Sequence, residues 1–408
     1  MGKLLQINPV VRDSTSTGRI MRELGEFMMA RGWESYIAYS KGRDGVPRHS
    51  SQLIPVGSKA DVAWHWLLTR LADRHGLCSK RATRKLIAQI EKIQPDIIQI
   101  HNIHGYFLNY PILFQYLAQC GKPVVWTTHD CWLYTGHCYH YDAAGCSKWK
   151  TGCGHCPQKR EFPASWLLDR SKRNYQDKKA AFNSVPELEI VNISRWMQEE
   201  MKQSFLAGAR FHLIPNGIDL SIFHPRESAS PAVSVVLCVA SIWSREKGIY
   251  DILALSRQED LKGRLVIVGQ LEAPILRLFP SDVRHIPRTE NALELARLYS
   301  AATVLVCPTY QDNYPTVIME AIACGTPVVT YDTGGCPELV TPGTGYIVPQ
   351  GACSALIQKT KEILQSGKDR YRDACLERAR SAFDKNQRWN DYLKLYNTLL
   401  IHENTPTG

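Results

Sequence analysis

With 408 residues, 44% of them apolar and 22% charged, the chain is too long for one ordinary core, and two globular domains are expected. No run approaches the roughly 18 apolar residues that span a bilayer, and Met1-Gly2-Lys3-Leu4-Leu5-Gln6-Ile7-Asn8 turns polar too soon for a secretory leader, so a cytoplasmic protein is expected. The net charge of +10 is uneven: residues 1 to 225 hold 29 Lys and Arg against 19 Asp and Glu, the rest 20 against 20, which suits a phosphate-bearing ligand or an anionic membrane face. No nucleic-acid motif accompanies it.

Along the chain the text alternates. An apolar run at 3–7 precedes an amphipathic stretch at 18–31, a strand-like run at 35–39 and helix-like text from 61 to 93. Asp96 to His101 and Val124 to His129 are short β-branched runs whose polar tails fall at strand ends, where open α/β sheets gather ligands. A connector at 222–231 opens a second series, with strands expected at 233–239, 265–269, 304–307 and 327–331, each followed by helix-like sequence. Helical text from Asn386 follows after the second domain is complete and is expected to pack back on the first. The class expected is α/β, with domains at 1–217 (completed by a helix at 386–403) and 218–385.

The most informative passage runs from Pro308 to Pro327. It leaves a strand and opens a helix, with Asn313 as expected cap, Pro315 at the first helical position, and Gly325 with Pro327 as the stop. Free amides at a helix start bind anions, and Glu320 lies only about 7.5 Å along the axis at about 1.5 Å per residue. Asp312 approaches from the preceding loop. A ligand with phosphate at one position and hydroxyls on either side fits, which is the form of a nucleotide sugar.

This passage resembles the E-x7-E signature of retaining glycosyltransferase family four, Asp312 standing at the first acidic position and Glu320 at the second. The resemblance implies the GT-B architecture, two Rossmann-like doubly wound domains facing across a cleft. Ile214-Pro215-Asn216-Gly217-Ile218-Asp219 resembles the family's turn near the domain junction, and Arg245-Glu246-Lys247-Gly248 the loop whose Lys grips the donor diphosphate. Thr333-Gly334-Gly335-Cys336-Pro337-Glu338 is similar to the Gly-rich turn facing the sugar. Where the family has an Arg five residues before the Lys, this chain has Ile242, and Arg245 is the candidate replacement. Ser14-Thr15-Ser16-Thr17-Gly18-Arg19-Ile20 resembles the loop beneath the transferred sugar, with Gly18 permitting close approach, and His129 matches the family's cleft histidine.

The resemblance thus implies His129, Asp312, Glu320 and Lys247 as catalytic residues, and Gly18, Arg245, Lys247, Asn313, Tyr314, Pro315, Thr316, Glu320, Gly334 and Gly335 as donor-binding ones. It implies a retaining hexosyltransferase that needs no metal for catalysis, with Lys247 and the amides near Thr316 stabilising the departing diphosphate. Relatives written D-N-Y/F-P here resemble transferases of bacterial capsule and exopolysaccharide assembly of the colanic-acid type. The expected partners are a UDP- or GDP-sugar and a glycan or polyprenyl-diphosphate-linked acceptor. Two other readings share the fold: a nucleotide-sugar epimerase and a catalytically silent sugar-nucleotide binder.

Thirteen cysteines, many isolated within expected strands and helices, do not read as a disulfide framework in a chain expected in the cytoplasm. Five crowd between residues 131 and 157. Cys138, Cys146, Cys153 and Cys156, ending in C-x2-C, suit a structural zinc that would stiffen an insertion lacking its own core. Buried free thiols, or His137, His140 or His155 in place of one ligand, are the alternatives. The segment from Asp61 to Lys92 sets Trp64, Trp66, Leu67, Leu68 and Leu71 before Lys80, Arg81, Arg84 and Lys85. It reads either as a core-packed helix with a solvated basic face or as a peripheral contact with the anionic inner face of the cell membrane.

Overall fold

A computed structural model of the chain describes residues 2–12, 15–40, 51–226 and 234–403; Ser14, Val233 and half of the expected connector lie outside them. The chain divides into two compact units, Met1–Ile214 with the residues from Trp389 onward, and Pro215–Arg388.

In the first unit, strands β1 (Lys3–Ile7), β2 (Glu34–Tyr39), β3 (Gln52–Pro55), β4 (Ile97–Ile100), β5 (Val124–Thr128), β6 (Glu189–Asn192) and β7 (Arg210–Leu213) form one seven-stranded sheet in the order β3-β2-β1-β4-β5-β6-β7. In the second, β8 (Val236–Ile242), β9 (Leu265–Gln270), β10 (Arg284–Ile286), β11 (Val304–Cys307), β12 (Val328–Tyr331) and β13 (Gly345–Val348) run β10-β9-β8-β11-β12-β13. All these pairings are parallel, and each sheet reverses its order once, between β1 and β4 and between β8 and β11. Ligand sites in open parallel sheets form at the carboxyl ends beside such a reversal.

Helices α1 (Ser16–Met29), α2 (Lys59–Ala72), α3 (Lys80–Ile93), α4 (Tyr110–Leu117), α5 (Ser171–Phe182) and α6 (Arg195–Met201) belong to the first unit. Helices α7 (Ile249–Ser256), α8 (Ala273–Leu276), α9 (Ala292–Ala301), α10 (Thr316–Ala323), α11 (Cys353–Ser366) and α12 (Asp369–Ala382) belong to the second; α13 (Lys385–Glu403) begins there and joins the first unit from Trp389. The helix-like text at 61–93 is two helices. Asp73 caps α2 in the left-handed conformation, with φ 52°, and the chain cannot continue helically past it.

Strand alternation builds a core on each face of the first sheet. Ile98, Ile100, Val124, Trp126 and Ile190 face Phe114, Trp132 and Phe182. Ile97, Val125 and Val191 face Leu24, Met28 and the α13 residues Trp389, Tyr392 and Tyr396. Each buried aromatic of α13 contributes roughly 1.5–3 kcal/mol. Two also hold polar groups: Tyr392 shares a 3.0 Å hydrogen bond with Thr127, and the Tyr396 hydroxyl donates to Gln99 Oε1. At the junction, a Cβ on Gly217 would lie 2.4 Å from the Lys385 Cα, so the turn that closes on the start of α13 has room for glycine alone.

Candidate active site

In the second unit the loops that leave β8 and β11, the two strands at the reversal, are tied together. The Tyr310 amide donates to the Glu246 carbonyl at 2.8 Å. Gly248, at φ 76°, lies so close to the Pro308 carbonyl that a Cβ would come within 2.1 Å of it. This contact carries Lys247 to the β11 loop, where its Nζ pairs with Asp312 Oδ2 at 2.6 Å and approaches the Gln311 carbonyl at 3.4 Å. Burial alone would lower the Lys247 pKa, but the charge and hydrogen bond of Asp312 outweigh it and hold the ammonium up to about 12.

Asp312 is itself fixed from three sides. Its Oδ1 accepts from the Tyr314 amide at 3.3 Å, its carbonyl accepts from the Gly335 amide at 3.4 Å, and Gly334 packs directly on that carbonyl. Asn313, Tyr314 and Pro315 are buried beside it, and Thr316 opens α10. The cap of α10 is Pro315, which offers no side-chain bond; Asn313 does not cap, and the helix begins one residue later than expected, because Asp312 turns the chain through the Tyr314 amide. The α10 amides therefore open on the loop uncovered by any capping side chain.

Glu320, 4% exposed, is held by a 3.0 Å hydrogen bond from the Tyr299 hydroxyl, and Tyr299 in α9 is itself fully buried. Tyr299 was missed in the sequence, since it lies 21 residues from Glu320 on another helix. Ile242 is 64% exposed at the end of β8, and Arg245, exposed in the next turn, forms no ion pair among the described residues.

Gly18 and His129 belong to the first unit. A Cβ on Gly18 would come within 2.4 Å of the Arg12 carbonyl and 2.6 Å of Thr15 Oγ1, the cap of α1. The chain itself thus requires the glycine at the start of α1. Gly18→Ala is expected to cost about 1–3 kcal/mol and to lower the melting temperature of the purified protein.

His129 follows β5, beside His101 after β4, with 2.9 Å between His129 Nε2 and His101 Nδ1. Burial pushes the His129 imidazole down to about 4 and holds His101 well below its usual value, so both are neutral near pH 7. Next to them His104 Nε2 lies 2.7 Å from Asp130 Oδ2. Burial would raise the Asp130 carboxyl, but His104 and the Trp132 amide together bring it below its usual range.

The Cys-rich segment shares the core of the first unit: Trp132, Leu133, Tyr134 and Trp149 are buried in it, because apolar residues lie among the cysteines. The buried Lys178 ties it down, donating to the Trp132 and Thr135 carbonyls at 2.6 and 2.9 Å. Cys153 accepts from the Gly136 amide at 3.2 Å. No three ligand atoms of the four cysteines lie within 4.8 Å of one another; among the described residues only Asp73, His75 and His137 do.

Within that trio His137 bonds Asp73, while His75 is held from outside by Trp132. The Trp132 indole can only donate, at 2.6 Å to His75 Nδ1, so His75 carries its proton on Nε2, which faces Asp73 Oδ1 at 3.5 Å. His137 Nδ1 lies 2.6 Å from the same oxygen. A neutral His75 so placed has no lone pair for a metal.

On the surface of the first unit, Trp64 and Trp66 of α2 are 60% and 38% exposed. Trp66 meets Trp166 edge-on at 5.7 Å, and the Trp166 and Leu168 amides donate to carbonyls of α2. Phe162, Trp166, Leu167 and Leu168 are exposed beside them. The 162–168 contribution is invisible in the sequence, which sets it about a hundred residues from α2.

Two Rossmann-like parallel-sheet units, with a lysine, two carboxylates and an uncapped helix start at the reversal of the second sheet, define a GT-B glycosyltransferase. Residues 17–222 match the family model described as Glycosyltransferase Family 4, and 233–366 the model described as Glycosyl transferases group 1. The chain belongs to glycosyltransferase family 4 and is an enzyme of that class. It is 24% identical to WcaC of Escherichia coli K12, assigned as a colanic acid biosynthesis glycosyl transferase, over 97% of this chain and all of that one. Its fold matches sucrose-phosphate synthase of Thermosynechococcus elongatus, with TM-score 0.75 and 20% identity over 98% of this chain and all of that one. It also matches Anabaena HepE in complex with UDP-glucose, with TM-score 0.64 and 16% identity over 97% and 99% of the two chains.

Proposed function

We propose that the enzyme transfers a sugar with retention from a UDP- or GDP-sugar to a glycan or polyprenyl-diphosphate-linked acceptor in surface polysaccharide assembly. The observation that carries this reading is the meeting of Lys247, Asp312 and the uncapped α10 start beside the β8–β11 reversal, with Glu320 held one turn further on. A diphosphate placed there draws Lys247 from Asp312 and meets the α10 amides; fixed charge and dipoles stabilise the leaving group without a metal. Asp312, so released, is free to accept from sugar hydroxyls, and Glu320 from those of the ribose. The WcaC likeness supports the polysaccharide role, and the HepE complex supports a nucleotide-sugar donor.

Thermal-shift and hydrolysis screens against UDP-, GDP-, ADP- and dTDP-sugars, with Glu320→Ala alongside, test this reading. Slow hydrolysis of one donor, lost in the variant, is the expected result. Interconversion of the free nucleotide sugar would favour the epimerase, and binding without turnover in the presence of acceptors the silent binder.

The same reading includes a structural zinc on Cys138, Cys146, Cys153 and Cys156, whose thiols stand near enough to influence one another and would have to turn inward to share an ion. Metal analysis of protein purified without chelator is expected to give about one zinc per chain, lost in Cys153→Ser with Cys156→Ser. It also includes docking of the Trp64, Trp66 and Trp166 surface on anionic lipid, since exposed tryptophans partition to bilayer interfaces. No helix among the described residues is long and apolar enough to cross a membrane. Cosedimentation with phosphatidylglycerol vesicles, weakened in Trp66→Ser with Trp166→Ser, is the expected outcome; no cosedimentation would remove the membrane from the proposal.

A further inference from the structure

We propose that His101 is a positioning residue for His129: a buried relay from the Met21 carbonyl through Gln6 and His101 fixes the His129 proton on Nε2 and leaves Nδ1 as the accepting nitrogen. The functional weight of this rests on the reading of His129 as a residue of the transferase site; the proton assignment does not.

Each link of the relay admits one answer. Gln6, fully buried in β1, places its Nε2 2.9 Å from the Met21 carbonyl. A carbonyl only accepts, so the amide nitrogen faces it and the amide oxygen turns to His101. That oxygen lies 3.1 Å from His101 Nε2 and again only accepts, so His101 Nε2 carries the proton. A neutral imidazole has one N–H, so His101 Nδ1 is an acceptor, and its neighbour at 2.9 Å, His129 Nε2, must donate. Burial opposes the alternative, a His101 cation donating from both nitrogens, because among the described residues no carboxylate touches its ring to offset the charge.

The relay is held rigidly at every point. The His101 amide donates to the Ile7 carbonyl, and the Trp126 indole donates at 2.8 Å to the His101 carbonyl. The two imidazoles lie edge to edge, with ring centroids 5.2 Å apart and planes 19° from parallel, as an in-plane hydrogen bond between them requires. Gly25 in α1 makes the approach of Gln6 feasible: a Cβ there would lie 3.3 Å from Gln6 Nε2 and far closer to the Ser35 and Ser51 hydroxyls.

The chemistry follows from the tautomer. A neutral His129 with its proton committed to His101 cannot act as a general acid through Nε2. A substrate group that meets the ring at Nδ1 must bring a hydrogen, as a hydroxyl does, and a carboxylate there is repelled.

The test is nitrogen NMR of the full-length protein labelled in its histidine rings, with His129→Gln used to assign the signal. The expected spectrum shows His129 protonated on Nε2 and unprotonated on Nδ1 between pH 6 and 8, as an order-of-one-unit margin above its titration requires. In His101→Phe that single tautomer is lost. His101→Gln keeps it, because its amide oxygen accepts from His129 while its NH2 donates to Gln6. A wild-type His129 protonated on Nδ1, or a mixture of both forms, overturns the proposal without any enzyme assay. In the donor-hydrolysis assay His101→Phe is expected to lower kcat/KM about tenfold, the worth of one misplaced hydrogen bond, with His101→Gln restoring it. The expected spectrum together with unchanged kinetics in His101→Phe would support the relay and count against His129 in the transferase site.

Discussion

Lys247→Met is expected to lower kcat/KM for the nucleotide-sugar donor by about 10²–10³-fold while leaving the fold intact. The Lys247 ammonium is the cation that the loop contacts of Gly248 with Pro308 and of Tyr310 with Glu246 bring to the β11 loop. Methionine keeps the length and the packing of the stem and removes only the charge. The stability cost is small, because the pair with Asp312 is 38% and 22% exposed and such pairs contribute about 0–1 kcal/mol. The sign of its pH dependence is definite. The Lys247 pKa is raised in the fold, so the contribution is fully present below the unfolded value and is lost only as pH rises towards about 12. Stability curves of wild type and Lys247→Met should therefore run parallel between pH 6 and 9, and the variant's defect should appear in steady-state kinetics alone. A variant within threefold of wild type would remove Lys247 from the chemistry.

Gly334→Ala is expected to damage both stability and turnover. At φ 52° a residue with a Cβ pays about 1–2 kcal/mol, and the added carbon would lie 1.9 Å from the Asp312 carbonyl, a backbone atom that cannot rotate away. Overpacking adds about 1–3 kcal/mol. Relief requires the turn or the Asp312 loop to shift, which breaks the Gly335 amide bond to the same carbonyl and displaces the carboxylate from Lys247. Denaturant unfolding should show a loss of about 2–5 kcal/mol by these two contributions, with donor kcat/KM falling in the same variant. Gly145, also in the left-handed region at φ 55° but with open space around it, is the control: Gly145→Ala should cost only the backbone share. Equal losses at the two positions would mean that the Gly334 contact with Asp312 is unimportant.

Much of the second unit is legible residue by residue. The run from Val304 to Pro327 places a strand, a loop with Asp312 and a helix with Glu320, and its error is at the cap: Asn313 has the right chemistry, but it is Asp312 whose carboxylate accepts from the Tyr314 amide, and the helix starts after Pro315. Strands with a continuous β-branched run, such as Val328–Tyr331, are plain. Those with polar ends, Glu189–Asn192, Arg210–Leu213 and Arg284–Ile286, are not, because their pattern is short and their place in the sheet comes from neighbours already formed. That Trp132 and Trp149 of the Cys-rich segment join the core of the first unit is not legible, since spacing of thiols says nothing about where those side chains go.

By itself the sequence determined two α/β units, the acidic pair eight residues apart, the loop lysine and the histidine at a strand end, because these are encoded within single stretches of chain whose local geometry is fixed by hydrogen bonding and periodicity. The tertiary structure alone decided the pairing of Lys247 with Asp312, the support of Glu320 by Tyr299, the chain from Met21 to His129, and the joining of Trp66 to Trp166. Each of these unites residues from separate elements. Their distances depend on how strands order in a sheet and how helices pack on it, which is a property of the whole fold and is written in no single segment.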